Sequence, residues 1–486
     1  MTTQTSNRSK TLGFVSLFLI EMWERFGYYG MTAVVVVFMA QQLGRGEEDA
    51  NLTFGAFTGI AYAIPAIGGW IGDKVLGSKR TAILGAVILV AGYAMLAIPS
   101  PGLLFTALAV IAIGGGLFKS NPANLISKIY EGESAKIDSA FTMYYMAVNL
   151  GAALSQIATP LVAQYYGWHW AFAICSGGLV VGVINYFFMR KHLAHVGSEP
   201  DFKPLDVKKF IAVLVLSALS IAVVAAIIAN RDYAKMLAVA AFVGMLFIFG
   251  FMIYRGTPGE QKGLIAVAIL TAQTMLFFIF YQQMSTSLTF YAVHNINLDL
   301  YGFQVPATMV QWFNPFWIFV LSPPLAWFYH KLSQSRGDFH IATKFTIGFA
   351  VLAAGFFVYG LSSLFAKDGI VGLSWMFWGY CLQSLGELLI SGLGLAMVAR
   401  YVGPKLRGFI MGTWFLATGI SQYLGGFVAN YASVPKDVTD PVQSLPLFAH
   451  LFNNLGWVAL LGTVLAAAAI PYMKWLSKTG GEAVNH

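Results

Sequence analysis

Five ionisable residues sit inside long apolar runs: Glu21, Glu24 and Arg25 in the first run, Lys119 in the fourth and Glu387 in the run at 372–400. On insertion scales a charge at membrane depth costs roughly 2.5–3.5 kcal/mol, so each should face a partner or a water-filled cavity. Glu21, Glu24, Arg25, Tyr28 and Thr32 follow one another at i, i+3, i+4, i+7 and i+11, which is a single stripe of an α-helix. Two carboxylates one turn apart repel, and one guanidinium can fully neutralise only one of them. Such a pair suits a proton that is shared, taken up and released. The blander reading is an internal ion pair that only locks helices together.

Lys119 stands in "GGGLFKSNPANL", where glycines permit close helix approach and Pro122 opens the backbone; a buried cation there suits an anionic group. Glu387 stands in "SLGELLISGLG", again among small residues. A cation in one half and a carboxylate in the other would suit a zwitterion, although a mutual Lys119–Glu387 salt bridge would use the same two groups. Tyr28, Tyr29, Tyr62, Tyr144, Tyr145, Asn149, Gln282, Gln283, Trp312, Asn314 and Trp414 supply polar handles on apolar bodies. Taken singly, each is more often core or membrane-interface packing; their concentration near the charged positions is what points to a lining.

The elements that must position these residues follow from composition. Hydrophobic residues make up 58% of the 486 and charged residues 10%, far below the roughly 25% of a soluble domain. An integral membrane protein is expected. Apolar segments fall at 12–42, 53–76, 80–98, 103–127, 137–163 and 169–190, then at 209–229 and 234–254. A last set follows at 263–292, 304–331, 341–364, 372–400, 406–431 and 446–476. Fourteen transmembrane helices are expected: an N-terminal six-helix bundle (1–192), a linker with two additional helices (193–258) and a C-terminal six-helix bundle (259–486). Uninterrupted runs such as 210–229 lack the alternation of barrel strands.

Most of the 29 lysines and arginines fall in connections that share one side if both termini are cytoplasmic, and Arg45, Arg231, Lys235, Lys367 and Lys436 lie on the other. The net charge of +8 is then orientation charge facing anionic lipid, and no nucleic-acid partner is expected. The loop in "GGWIGDKVLGSKR" (68–80) could hold two helix ends through ion pairs around Asp73, or simply be an orientation loop. Cys175 and Cys381 are isolated, so neither a disulfide framework nor a metal cluster is expected. The histidines fall at helix ends or in connections and no HExxH or GxSxG pattern occurs, which argues against a membrane-embedded enzyme. No filter-like repeat supports a channel.

The patterns "EMWERFGYYG", "GLFKSN", "FTMYYMAVNLG" (141–151) and "GELLISGLGLAMV" (386–398) together resemble the proton-dependent oligopeptide transporter family over most of the chain. That resemblance implies an all-α major-facilitator fold and alternating access, with uptake of di- and tripeptides driven by inward proton flow. It implies no cofactor. It places Glu21, Glu24, Arg25 and Glu387 in proton coupling, Lys119 on the peptide carboxylate and Glu387 on the amine. Tyr29, Tyr62, Asn149, Gln282, Asn314, Ser391 and Trp414 complete the substrate lining. The chain departs from the family pattern twice: "YQQ" with Gln282 replaces a "FEQ" glutamate, and Thr32 stands where an arginine is usual. Both would-be partners are neutral, which shifts coupling onto the first helix and Glu387. The resulting expectation is a multi-pass inner-membrane peptide symporter with small peptides, protons and membrane lipid as partners, working as a monomer. A carrier of the same fold for another small anion or zwitterion, such as nitrate or an amino-acid conjugate, is the alternative, because fold fixes architecture better than cargo.

Overall fold

Long helices separated by brief connections carry the chain, because a backbone in hydrocarbon must satisfy its own hydrogen bonds. The computed structural model describes residues 2–335, 339–390 and 401–480. Helix α1, Thr2–Val37, begins far upstream of the apolar run, so the polar start of the chain is helical too, and it closes in a π-turn at Phe38–Gln42. The second apolar segment is two helices, α2 (Glu47–Ala63) and α3 (Pro65–Lys74), since Pro65 cannot continue the ladder. Next come α4 (Ser78–Ala97), α5 (Leu104–Lys119), α6 (Asn121–Ile129), α7 (Ser134–Tyr166) and α8 (Trp168–Met189). The two additional helices are α9 (Val207–Ala229), capped by the Asp206 carboxylate, and α10 (Arg231–Arg255).

The later set runs α11 (Pro258–Gln282), α12 (Ser287–Asn295), α13 (Phe313–Ser335), α14 (Ile341–Leu361), α15 (Leu373–Ile390), α16 (Pro404–Ala429) and α17 (Pro441–Gly480). Two-residue strands at Ile296–Asn297 and Val371–Gly372 pair in parallel between helices. Ten helical stretches among the described residues are long and apolar enough to cross a membrane by length and composition. Helix α1 is not among them, because Glu21, Glu24 and Arg25 sit in its middle.

Packing divides the chain into two units, residues 1–38 with 56–234 and residues 39–55 with 235–486. In the first, α1 lies along α7 and α8, α4 lies along α5 and α8, and α9 rests on α5. In the second, α14 packs on α15 and α17, α11 on α16 and α17, and α13 on α15. Residues 39–55 belong to this second unit: Glu47 accepts from the Val434 N–H at 2.9 Å and pairs with His294, and Asn51 donates to Asn430 at 3.1 Å. Helices α9 and α10 bury little, only Val213, Val224 and Ile228 on α9 and Ala234, Met245 and Phe249 on α10, so most of their apolar surface faces outward.

Candidate functional site

In the first unit the α1 stripe faces inward. Glu21, Glu24 and Arg25 are all buried. Arg25 Nε donates to Glu21 Oε1 at 3.0 Å and lies 2.6 Å from Glu24 Oε2. A guanidinium Nε carries one hydrogen, so it cannot point at both carboxylates. The bond goes to Glu21, while among the described residues Glu24 Oε2 keeps a charge contact but no aligned hydrogen bond, and Glu21 Oε2 has none either. Two acceptor oxygens in a buried cluster are thus left open to a proton or a donor.

The backbone permits this crowding at Gly151 on α7, where a Cβ would lie 3.0 Å from both Arg25 Cβ and Phe26 N. The Arg25 guanidinium is 5.7 Å from the Tyr28 ring, and Tyr28 meets Tyr29 edge-on at 5.7 Å. Thr32 is buried and donates to the Tyr29 carbonyl at 3.2 Å.

Lys119 is the last residue of α5, and the reason is Pro122 in the first turn of α6. The break is held from both sides: Ser120 Oγ donates to the Pro65 carbonyl at 2.8 Å, and Asn121 Nδ2 donates to the Leu117 carbonyl at 2.7 Å. Lys119 Nζ lies 4.0 Å over the Tyr62 ring and, among the described residues of its unit, forms no ion pair. Asn149 turns its amide back onto the Tyr145 carbonyl at 2.9 Å.

In the second unit Asn314, in the first turn of α13, donates to Glu387 Oε2 at 2.7 Å and to Ser384 Oγ at 3.0 Å. Ser384 was missed by sequence reasoning, although it precedes Glu387 by three residues and so shares its helix face. Gln282 is buried at the end of α11, packed where α16 passes at Gly425, and the backbone breaks between Gln282 and Ser287. The Trp414 ring meets Phe278 edge-on at 6.3 Å, and its indole Nε1 is buried without a hydrogen-bond partner among the described residues. Trp312 leans on Phe316 at 5.1 Å. Ser391 lies outside the described residues. Each unit therefore gathers its own expected residues: Glu21, Glu24, Arg25, Tyr29, Tyr62, Lys119 and Asn149 in the first, Gln282, Asn314, Glu387 and Trp414 in the second.

Buried charges of both signs, broken helices at the lysine and beside Gln282, and apolar helix exteriors define a membrane carrier rather than a soluble binding protein. The profile of the POT family matches residues 79–452. Dipeptide and tripeptide permease A of Salmonella typhimurium is 40% identical over 96% of this chain and 93% of its own length. The crystal structure of tetrameric PepTSo2 superposes with a TM-score of 0.88 at 49% identity, covering 96% of this chain and all of that one. A structure described for substrate recognition in proton dependent oligopeptide transporters gives 0.86 at 50% identity, with 96% and 100% coverage. The chain belongs to the POT family, and its fold is the all-α major-facilitator fold of an inner-membrane, multi-pass transporter.

Proposed function

We propose that this chain imports di- and tripeptides together with protons by alternating access. The observation that carries the reading is the pair of complementary groups held ready in the two units. Lys119 is a cation stacked over the Tyr62 ring with no ion pair among the described residues of its unit, and Glu387 is a carboxylate fixed by the amide of Asn314. A peptide is a zwitterion, and each of its ends matches one of these groups. We assign the carboxylate end to Lys119 and the amine to Glu387. Tyr29, Tyr62, Asn149, Gln282, Asn314, Ser391 and Trp414 are assigned to the substrate lining. The permease names of the relatives support peptides as cargo.

Coupling is assigned to Glu21, Glu24, Arg25 and Glu387. Proton entry at the two-carboxylate cluster weakens the hold of Arg25, and proton loss restores it. The orientation assigned is both termini in the cytoplasm, from the lysine and arginine distribution. Residues 1–192 and 259–486 are assigned to the two bundles and 193–258 to their connection, with one chain as the transporting unit.

The test is uptake of a labelled dipeptide into proteoliposomes under an imposed inward proton gradient. Accumulation that collapses with a protonophore supports the proposal, whereas accumulation indifferent to the gradient sinks the coupling. Unlabelled dipeptides should compete, and failure to compete would favour another small anion or zwitterion as cargo.

A further inference from the structure

Where α4 begins and α8 ends, the first unit holds a cavity of about 670 Å³ lined by none of the residues assigned to transport. Two helix stripes line it. On α4 the stripe is Lys79, Arg80, Ile83, Leu84 and Val87; on α8 it is Tyr186, Phe187, Arg190 and Lys191, the last two just past the helix end. Both stripes put their cations at the helix terminus and apolar groups one or two turns deeper. At 1.5 Å per residue, Lys79 to Val87 spans about 12 Å. That is the profile of an ionic head followed by the start of a hydrocarbon chain. Val87 is 52% exposed and Phe187 47%, so the deeper half of the cavity is apolar and open.

The charge balance is one-sided. Lys79 Nζ donates to the Leu193 carbonyl at 3.0 Å, and Arg80 Nη2 donates to the Lys203 carbonyl at 2.7 Å, both neutral partners. Asp201 is the one carboxylate in the lining, and it accepts the Lys79 N–H at 3.2 Å and the Ser198 N–H at 2.9 Å. Arg190 leans on Phe187 at 5.8 Å, and among the described residues neither it nor Lys191 forms an ion pair. Four cations thus face one acid whose oxygens already accept backbone hydrogen bonds.

We propose that this cavity binds an anionic phospholipid, with the phosphate on Arg190 and Lys191 and an acyl chain along Val87 and Phe187. Basic pockets between transmembrane helices take such head groups. A free phosphate would satisfy the cations but leave the apolar half wet, which is why a lipid is the better occupant. The bound lipid would also steady the 190–206 connection, because Lys79 and Arg80 hold its carbonyls from the same cavity wall.

The experiment uses the full chain, stripped of lipid in detergent, and reads retained lipid by native mass spectrometry, without any transport step. Phosphatidylglycerol and phosphatidylethanolamine of equal chain length are offered, with inorganic phosphate as a soluble competitor. The unaltered chain should retain phosphatidylglycerol selectively, and millimolar phosphate should not displace it. Arg190→Ala/Lys191→Ala should weaken retention about 30-fold, or ~2 kcal/mol at about 1 kcal/mol per charge. Phe187→Ala, which keeps every cation, should weaken it several-fold, and Arg255→Ala on α10 should leave it unchanged. Equal retention of the two lipids, displacement by phosphate, an unaffected double variant or an unaffected Phe187→Ala would each overturn the proposal.

Discussion

Lys119 and Glu387 are held in different ways, and their substitutions should differ accordingly. Lys119 rests on the Tyr62 ring and, among the described residues of its unit, forms no ion pair, so replacing it with alanine breaks none there. Lys119→Ala should lower affinity for peptides with a free carboxyl terminus by the ~1.5–3 kcal/mol of a buried charge-assisted contact, while peptide amides lose little. Equal losses for both would make the lysine structural. Glu387→Gln keeps a group that Asn314 can still bond, so the fold should stand while peptides with a free amine lose more than amine-blocked ones. In the α1 cluster the Arg25 Nε hydrogen goes to Glu21 while Glu24 keeps only a charge contact, and the proposed coupling would make one of the two carboxylates the proton acceptor. At least one of Glu21→Gln and Glu24→Gln should abolish gradient-driven uptake yet keep peptide counterflow, which moves no net proton. If both variants still accumulate peptide, the cluster is a lock and coupling lies at Glu387.

Among the elements, α1 and α7 meet through Gly151, where a Cβ would press on the Arg25 side chain and the α1 backbone. Gly151→Ala should cost about 1–3 kcal/mol by overpacking and lower the melting temperature of the purified protein. Gly177→Ala on α8, with nothing within 4 Å, is the control and should leave it unchanged. An unchanged Gly151→Ala melting curve would show that α1 and α7 yield easily here.

What could be read from the sequence divides along the same line. The α1 stripe was legible because three charges in one apolar turn need no partner to be noticed, and the α5–α6 break was legible because Pro122 dictates it. The break after Gln282 was not legible, for no proline or glycine marks it, and its contact with α16, where Gln283 Nε2 donates to the Gly425 carbonyl at 3.0 Å, lies 142 residues away in sequence. Nor was the inward turn of the Asn149 amide, since an asparagine reads the same whether it serves a ligand or its own helix. Pro65 splitting the second apolar run was overlooked, although its mechanism is local.

For the molecule as a whole, one chain is proposed as the transporting unit, with Arg25–Glu21 paired in the first unit and Asn314–Glu387 in the second. A relative that crystallises as a tetramer makes the point testable. Co-reconstituting active chain with an excess of an inactive variant should leave activity proportional to the active fraction, and a steeper loss would mean that subunits cooperate. The same preparation can settle orientation. In a Cys175→Ser/Cys381→Ser background, Glu199→Cys should react only with cytoplasmic thiol reagent and Lys436→Cys only with reagent outside. The reverse pattern would invert the assignment.

The compactness of the α1 cluster bears on how the protein is made. During synthesis the first helix reaches the bilayer before α7 and α8 exist, yet three uncompensated charges would each resist insertion by roughly 2.5–3.5 kcal/mol. Because Glu21, Glu24 and Arg25 all lie within one turn, the nascent helix brings its own counter-ion and enters with a single net charge. With the coupling role proposed above, biogenesis and coupling would impose opposite demands on Arg25: to hold the carboxylates tightly enough to enter the membrane and loosely enough to let a proton in. In a membrane-insertion assay of α1 alone, Arg25→Ala should sharply reduce the inserted fraction, and adding Glu24→Gln should restore part of it. If Arg25→Ala inserted as well as the parent helix, the guanidinium would be dispensable for entry and retained for transport alone.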